Sequence, residues 1–370
     1  MRVSLAPRRW PRLPRGLLLA LLLVAVAACS GDSYPQSAIH PKGDFAEIVD
    51  GLFQTTVWWA TIVFIGAEGA LLFAIFRFRG SPDDPEPKQN HGNTLVEIIW
   101  TVIPAAVLAI VAVPTVKTIF ETARVPTSSP DGAAPLKVEV VGHQWWWEFR
   151  YPDLGIVTAN ELHVPLGRTI DLRMKSADVI HSFWIPQFAG KRDVFPNRET
   201  RLWFTAKETG AYPGACAEFC GLQHARMDFH VMVTSPEEFA AWQAIRQADT
   251  AAAAIRPVPA PAPDSTGAMA AAPPIDPLVA QGQKLILTKG CVGCHAMGSA
   301  GAMTTLQGPN LGGIGRRTMI AAGWFENTDE NLAAWIKDPG AIKHGVLMAG
   351  KYQITDAEVK AVVAYLRTRQ

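Results

Sequence analysis

Two long apolar segments, residues 54–76 and 95–116, constrain the fold of this 370-residue chain more than any other feature. Each is long enough to cross a hydrocarbon core of about 30 Å as an α-helix. Arg77 and Arg79 directly follow the first segment, and the positive-inside rule places such a loop in the cytoplasm. We therefore predict a transmembrane hairpin over residues 54–118. Residues 29–53 and the chain after the hairpin then lie on the outer side.

The N-terminus, residues 1–28, has the pattern of a bacterial export signal. Five arginines precede a short apolar stretch that is too brief to span a bilayer comfortably. Small residues run up to Cys29, as at the cleavage site of a lipoprotein signal peptide. We predict cleavage before Cys29 and acylation of its sulfur. An ordinary signal peptide with an incidental cysteine is the alternative.

Beyond the hairpin, the sequence divides into two further domains and a linker. Residues 125–247 contain short segments rich in β-branched and aromatic residues, separated by turn signals, which is typical of a β-sandwich. Residues 248–276 are dominated by alanine and proline and have too few bulky apolar residues for a core. Residues 277–370 contain helical patterns. The expected fold is a multidomain membrane protein with a two-helix hairpin, a β-sandwich and an all-α C-terminal domain.

The cysteines and the net charge limit the chemistry and the partners. Besides Cys29, four cysteines form two spaced pairs in the exported part of the chain, where a disulfide is the default interpretation. The surroundings of each pair instead indicate metal binding. A formal net charge of +1 gives no indication of a nucleic-acid partner.

The first pair, Cys216 and Cys220, lies beside other soft ligands. His224 and Met227 follow within a segment of twelve residues. Thiolate and thioether suit copper, and imidazole is compatible with it. Zinc also accepts cysteine and histidine but rarely a methionine. We predict a copper site, with a disulfide as the main alternative.

The second pair belongs to the motif Cys291-Val292-Gly293-Cys294-His295. This Cys-x-x-Cys-His pattern is typical of covalent haem attachment, in which both thiols bind the haem vinyl groups and the histidine binds iron. A thioredoxin-type redox pair or half of a zinc site is the alternative. The adjacent histidine and the export signal favour haem c.

Several stretches resemble the cytochrome c oxidase subunit II family of the haem–copper oxidases. Residues 216–227 resemble its loop for the binuclear copper centre CuA, and residues 142–147 resemble its aromatic stretch. Residues 178–186 resemble the strand end that carries a distant histidine ligand, and residues 97–104 resemble its second membrane helix. The resemblance implies that the predicted β-sandwich is a cupredoxin-like CuA domain.

The resemblance also implies roles for individual residues. Two copper ions would be held by six residues, with Glu218 acting through its backbone carbonyl: His181, Cys216, Glu218, Cys220, His224 and Met227. The Glu218 side chain would help to bind magnesium at the interface with subunit I. Trp145 would be the aromatic residue through which electrons arrive, and Glu97 would lie at the mouth of a proton channel in subunit I.

The C-terminal segment, residues 277–370, resembles the class I cytochromes c. Met348 lies in a loop before the last predicted helix and would be the sixth haem ligand, which raises the reduction potential. The Pro309 carbonyl would accept a hydrogen bond from the ring of His295. The proline that usually follows the methionine ligand is Ala349 here, which is a departure from the family pattern.

Together, these features predict subunit II of an aerobic terminal oxidase in the bacterial inner membrane, with CuA and haem c on the outer side. Electrons would pass from cytochrome c or a quinol–cytochrome c reductase through haem c and CuA to the oxygen-reducing site of subunit I, with subunit III as a further partner. The tether would raise the effective concentration of the haem donor. The alternatives are a quinol oxidase subunit, a subunit of a CuA-containing nitric oxide reductase, and a copper-binding lipoprotein.

Overall fold

The computed structural model describes residues 16, 23–24, 36–80, 85, 89, 92–252, 276–298 and 307–369. The predicted lipidation site Cys29 lies outside the described residues, as does most of the predicted linker. The described chain begins with two long helices, continues through a β-domain and ends in a helical domain.

The two apolar segments lie in the helices α1 (Asp44–Arg77) and α2 (Thr94–Ala123). These helices are 34 and 30 residues long, and at about 1.5 Å per residue both exceed the thickness of a bilayer core. Their most apolar windows have mean hydropathies of 1.9 and 2.4, and no part of either window is buried within the chain. Both helices are long and apolar enough to cross a membrane, as the sequence predicts.

The outer ends of both helices are attached to the β-domain. The Asp44 carboxylate accepts a hydrogen bond from the Thr205 N–H at 2.7 Å, and the Trp203 indole donates to the Thr122 carbonyl at 3.0 Å. Phe45 is buried and packs edge-on against Trp203, with 5.4 Å between ring centroids. The first turn of α1 therefore packs on protein, which is why the helix starts well before the apolar run at residue 54.

Residues 136–234 form a β-sandwich of two five-stranded sheets. Its strands are β1 (Leu136–His143), β2 (Trp146–Tyr151), β3 (Ile156–Ala159), β4 (Glu161–Pro165), β5 (Thr169–Ser176), β6 (His181–Trp184), β7 (Arg192–Val194), β8 (Thr200–Thr205), β9 (Gly210–Cys216) and β10 (Asp228–Thr234). The first sheet has the order β3-β2-β1-β5-β8, and the second has the order β4-β10-β9-β6-β7. A helix, α3 (Pro236–Ala252), follows the last strand and packs on the sandwich through the buried Phe239.

The core between the sheets is aromatic. Phe183 and Phe229 stack with 4.4 Å between ring centroids, and Trp147 packs edge-on against them at 5.0 and 5.8 Å. All three side chains are fully buried. Phe183 pairs across the sheet with Cys216, so this core fixes the strand ends that carry predicted copper ligands.

Residues 277–298 and 307–369 form a helical domain with a core of its own. Its helices are α4 (Pro277–Thr288), α5 (Asp329–Lys337), α6 (Pro339–Ile342) and α7 (Asp356–Arg367), and a short hairpin joins β11 (Met319–Ile320) to β12 (Phe325–Glu326). A Cβ atom added at Gly282 of α4 would lie 1.9 Å from the Ala361 carbonyl oxygen of α7. Only glycine therefore allows the two helix backbones to cross this closely. The hairpin, sandwich and helical domain confirm the predicted fold class.

Candidate metal centres

The predicted copper ligands converge where β6 and β9 meet. His181 begins β6, Cys216 ends β9, and Cys220 lies in the loop that follows. The Cys216 sulfur lies 3.9 Å from His181 Nδ1 and 3.8 Å from the Cys220 sulfur. The Cys220 sulfur in turn lies 3.7 Å from His224 Nδ1 and 3.7 Å from Met227 Sδ. Five of the six predicted ligands therefore present their side-chain donors to one small space.

The spacing of these donors fits a metal centre and not a disulfide. A disulfide holds its sulfurs about 2.05 Å apart, whereas the sulfurs of Cys216 and Cys220 are 3.8 Å apart and both thiols are free. Two bonds of about 2.3 Å from one metal to two thiolates span at most about 4.6 Å, so a shared metal fits between them. With the buried thioether of Met227, this is a donor set that suits copper.

Cys216 is held in the thiolate form that binds metals. Its hydrogen bond with the Cys220 sulfur, against the effect of burial, keeps the pKa of Cys216 well below its usual range, and His181 adds to this effect. The Glu218 carbonyl oxygen, the sixth predicted ligand, lies 3.3 Å from the Cys216 sulfur. The six predicted donors therefore lie around the two cysteine sulfurs: His181 and the Glu218 carbonyl near Cys216, and His224 and Met227 near Cys220.

The predicted magnesium site at Glu218 depends on a partner. The Glu218 side chain is exposed. In the described part of the chain, one group of histidine, cysteine and carboxylate side chains is close enough to share a metal, namely His181, Cys216 and Cys220. Magnesium binding at Glu218 stays a prediction.

Asp178 orients the histidine ligand that is most distant in sequence. Its carboxylate accepts a hydrogen bond from His181 Nε2 at 2.8 Å and another from the Gln144 N–H at 2.7 Å. This contact directs His181 Nδ1 towards Cys216, as an orienting carboxylate does for many metal-bound histidines. Burial alone would lower the pKa of His181, but its hydrogen bonds with Asp178 and Cys216 raise it. Sequence reasoning missed Asp178, although an acid three residues before a ligand histidine was a usable signal.

The predicted haem site begins at a short helical turn, Cys291–Gly293, directly after α4. Both motif cysteines are free and half-buried. His295 Nδ1 donates to the Pro309 carbonyl at 2.7 Å, as predicted, and this leaves Nε2 as the nitrogen that can bind iron. A Cβ atom added at Gly308 would lie 2.6 Å from His295 Cε1, so the ring is held by both its hydrogen bond and its close packing.

Cys291, Cys294, His295 and Met348 line one cavity. The cavity is open to solvent on one side, and its lining is mainly apolar around two thiols, an imidazole and a thioether, so the chemistry of the residues fits haem c. Trp335 and Tyr352 also line the cavity. Met319 shares it, whereas Met297 lies in the core of the domain.

One wall of this cavity is formed by the β-sandwich. Gln144, Trp145, Trp146 and Gln223 line it from that side. The Trp145 indole donates to the Cys220 carbonyl at 3.0 Å, and the Gln144 side-chain amide donates to the same carbonyl at 2.7 Å. The copper loop and the haem cavity therefore share a wall. Sequence reasoning predicted Trp145 but missed the role of the adjacent Gln144.

The predicted proton-channel residue lies in the first turn of α2. Glu97 is exposed in the isolated chain, and the residue that caps the start of the helix is Asn93, whose side chain accepts hydrogen bonds from the N–H groups of Leu95 and Val96. Glu97 is therefore at the end of α2 that faces the Arg77 side of the hairpin. Its role stays a prediction.

Comparison with known proteins assigns these features to one family. The family model for the cytochrome C oxidase subunit II transmembrane domain matches residues 36–118, and that for the periplasmic domain matches residues 154–234. The cytochrome c model matches residues 279–370. Cytochrome c oxidase subunit 2 of Alkalihalophilus pseudofirmus is 34% identical over 366 residues, which cover 97% of this chain and 98% of that protein. The chain belongs to the cytochrome c oxidase subunit II family.

Two further relatives match the chain over different lengths. Cytochrome c oxidase subunit 2 of Bacillus subtilis is 34% identical over 368 residues, covering 95% of this chain and 96% of that protein. Quinol oxidase subunit 2 of Bacillus subtilis is 33% identical over 230 residues, or 61% of this chain and 71% of that protein. Membership of the subunit II family, with a cytochrome c domain, implies CuA copper and haem c in a membrane protein with a periplasmic domain.

We expect the substitution D178N to weaken copper binding by roughly 10- to 100-fold, the usual effect of losing an orienting partner of a metal ligand. The asparagine keeps the shape of the side chain but removes the charged acceptor for His181. Competition with a copper chelator would measure the affinity, and D193N, at an exposed carboxylate on β7, is the matched control. Equal affinities in D178N and the parent would mean that packing alone orients His181.

We expect M348L to lower the reduction potential of the haem by on the order of 0.1 V, because axial ligands set haem potentials over a range of about 0.8 V. The matched control is M319L, since Met319 lines the same cavity. A spectroscopic redox titration of both variants would distinguish the two methionines. A drop in potential in M319L but not in M348L would mean that Met319, and not Met348, is the sixth haem ligand.

Proposed function

We propose that this chain relays electrons from haem c to a binuclear CuA centre and then to subunit I of an aerobic respiratory terminal oxidase, where oxygen is reduced to water. The observation that carries the proposal is the wall that the two candidate centres share. Trp145 lines the predicted haem cavity and donates a hydrogen bond to the carbonyl of Cys220, a predicted copper ligand. When bound, haem iron and copper each take up and release a single electron.

The residues of the wall provide a short connection between the cavity and the copper loop. Trp146 is 6% exposed, stacks on His143 with 4.1 Å between ring centroids and donates to the Gln307 carbonyl at 3.3 Å. Trp145 continues the wall and reaches Cys220 through one hydrogen bond. An aromatic side chain joined to a ligand-bearing backbone by a single hydrogen bond is a short route for electron tunnelling.

The copper-binding residues favour rapid one-electron transfer because they are held before a metal arrives. Asp178 fixes the ring of His181, and strand pairing fixes Cys216 opposite Phe183. A rigid set of ligands moves little when the charge of its metal changes, which lowers the reorganisation that accompanies each transfer. This supports an electron relay over a site for copper storage, which needs no such rigidity.

The membrane hairpin gives the relay its location and its partners. We propose that α1 and α2 lie in the bacterial inner membrane against subunit I, with subunit III in the same complex. The attachment of both helix ends to the sandwich through Asp44 and Trp203 keeps the copper loop outside the membrane. Glu97 at the opposite end of α2 is proposed to lie at the mouth of a proton channel, and Glu218 to bind magnesium with subunit I. Cytochrome c or a quinol–cytochrome c reductase is the proposed donor.

Metal content and oxygen consumption test this function together. We expect the purified full-length chain, matured with haem and copper, to hold about two copper ions per haem iron. Assembled with its subunit I, it should consume oxygen when reduced cytochrome c is added. One copper ion or none would contradict the CuA assignment. Consumption of nitric oxide in preference to oxygen would move the chain to the nitric oxide reductase alternative.

We expect W145F to slow electron transfer from haem to copper by about tenfold or more, because phenylalanine cannot donate to the Cys220 carbonyl and small misplacements at a reacting site are costly. Flash reduction of the haem, followed by its reoxidation at visible wavelengths, would measure the rate. The control is W184F, a half-buried tryptophan of β6 that does not line the cavity. An unchanged rate in W145F, with both metals retained, would exclude this route.

A further inference from the structure

The contact between the β-sandwich and the cytochrome domain contains buried charged groups. Glu161, at the start of β4, is 2% exposed. Its carboxylate accepts hydrogen bonds from the N–H and the hydroxyl of Thr318, both at 2.7 Å, and from the Met319 N–H at 3.2 Å. Burial alone would raise the pKa of Glu161, but hydrogen bonds with His163 and Thr318 outweigh burial and lower it. An ionised carboxylate of the sandwich therefore serves as an acceptor for the backbone of the cytochrome domain.

The cytochrome domain in turn contributes a buried cation that bonds to the backbone of the sandwich. Lys343 is 2% exposed, and its ammonium donates to the Arg226 carbonyl of the sandwich at 2.6 Å and to the Ala321 carbonyl of its own domain at 2.8 Å. Arg226 belongs to the helical turn His224–Arg226, which carries a predicted copper ligand. Lys343 itself lies in the loop that leads to Met348. One side chain therefore links the segments that hold predicted ligands of both centres.

Other contacts extend the same interface. Arg369 Nη2 lies 2.9 Å from the Asp249 carboxylate of α3, and the Asp228 N–H donates to the Ala322 carbonyl at 3.1 Å. Transient electron-transfer complexes usually have small, wet contacts. Buried charges whose hydrogen bonds are completed by the other partner are expensive to separate, because each would be left unpaired. The interface therefore has the character of a permanent contact.

Arg317 is a cation of the haem cavity that lies close enough to Glu161 to feel its charge. Arg317 lines the haem cavity and donates to the Gly312 carbonyl at 3.2 Å. The pKa of Arg317 is lowered to about 10, because burial disfavours its charged form more strongly than the nearby charge of Glu161 favours it. Gly312 lies three residues after Pro309, the acceptor for the His295 ring. The charge of the sandwich carboxylate therefore acts on a cation that is hydrogen-bonded to the segment supporting the predicted iron ligand.

We propose that Glu161 and Lys343 are reciprocal positioning residues that lock the cytochrome domain onto the sandwich in one orientation, with the haem cavity against Trp145. The inference rests on the proposed relay between the two centres. It adds that electrons cross a fixed contact and not one that a tethered domain forms and breaks in each turnover. Each residue is buried in the interface and bonded to the backbone of the other domain.

Electron transfer from haem to copper in the full-length chain, carrying both metals, tests the proposal. In the parent protein, the rate after flash reduction of the haem should not depend on solvent viscosity, because no domain motion precedes transfer. E161A leaves the three donors of the cytochrome domain without their acceptor, and K343M removes the ammonium but keeps the apolar stem. We expect each variant to slow transfer by about tenfold or more and to make the rate fall as sucrose is added.

Two exposed residues provide matched controls. E139A removes a carboxylate from β1 and K360M removes an ammonium from α7, both at exposed positions, and neither should alter the rate or its dependence on viscosity. All four variants must retain the copper and iron content of the parent. Rates in E161A and K343M that equal the parent rate and stay independent of viscosity would overturn the proposal.

Hydrogen exchange in the unsubstituted protein gives a second test that needs no variant. The amide groups of Thr318 and Asp228 donate across the interface, so we expect them to exchange as slowly as the paired amides within β10. Exchange at the rate of an exposed loop would overturn the proposal. Slow exchange combined with no electron transfer from haem to copper would leave the docked interface standing and refute the proposed relay.

Discussion

The hydrogen bonds to the Cys220 carbonyl are the interactions on which the region between the two centres depends. The loop between Cys216 and His224 has no strand or helix of its own, so its shape must be fixed from outside. Gln144 and Trp145 fix it from the turn between β1 and β2, which belong to the other sheet. One backbone carbonyl thus joins the two sheets at this end of the sandwich and joins the copper loop to the wall of the haem cavity.

This arrangement makes the two candidate centres mechanically dependent on each other. Asp178 accepts from the Gln144 backbone with one carboxylate oxygen and from His181 with the other. The turn that holds the copper loop is therefore also the turn that orients a copper ligand. A displacement of Trp145 would move the cavity wall, the Cys220 carbonyl and the support of His181 together. Rigidity at this turn is a condition for a constant path length between the centres.

Features that depend on residues close together in the sequence could be predicted from the sequence alone. Hydropathy alone predicts the two membrane helices, and short local spacings predict the copper loop of residues 216–227 and the haem motif of residues 291–295, because each lies in a single loop. His181 is 35 residues before Cys216, and only the family resemblance suggested it. The start of α1 could not be predicted, because the apolar pattern reports contact with lipid whereas the first turn of α1 packs on the sandwich.

Glu161 and Lys343 could not be predicted for a different physical reason. A single glutamate or lysine in a polar segment is read as a solvated side chain, since such residues are seldom fully buried. Their partners lie 157 and 117 residues away along the chain, and neither residue belongs to a motif. Only the folded arrangement of the two domains reveals that backbone groups of the other domain replace the water that would otherwise solvate these two side chains.

The interface also changes how the fused cytochrome domain should be understood. A flexible tether raises the concentration of the donor near its acceptor but leaves its orientation free, so each transfer still waits for a productive encounter. Electron tunnelling weakens steeply with distance, and an average over orientations would therefore be dominated by rare arrangements. Buried, hydrogen-bonded charges select one arrangement and keep it. In the proposed relay, the haem cavity would face Trp145 throughout turnover, and diffusion would limit only the arrival of electrons from the external donor.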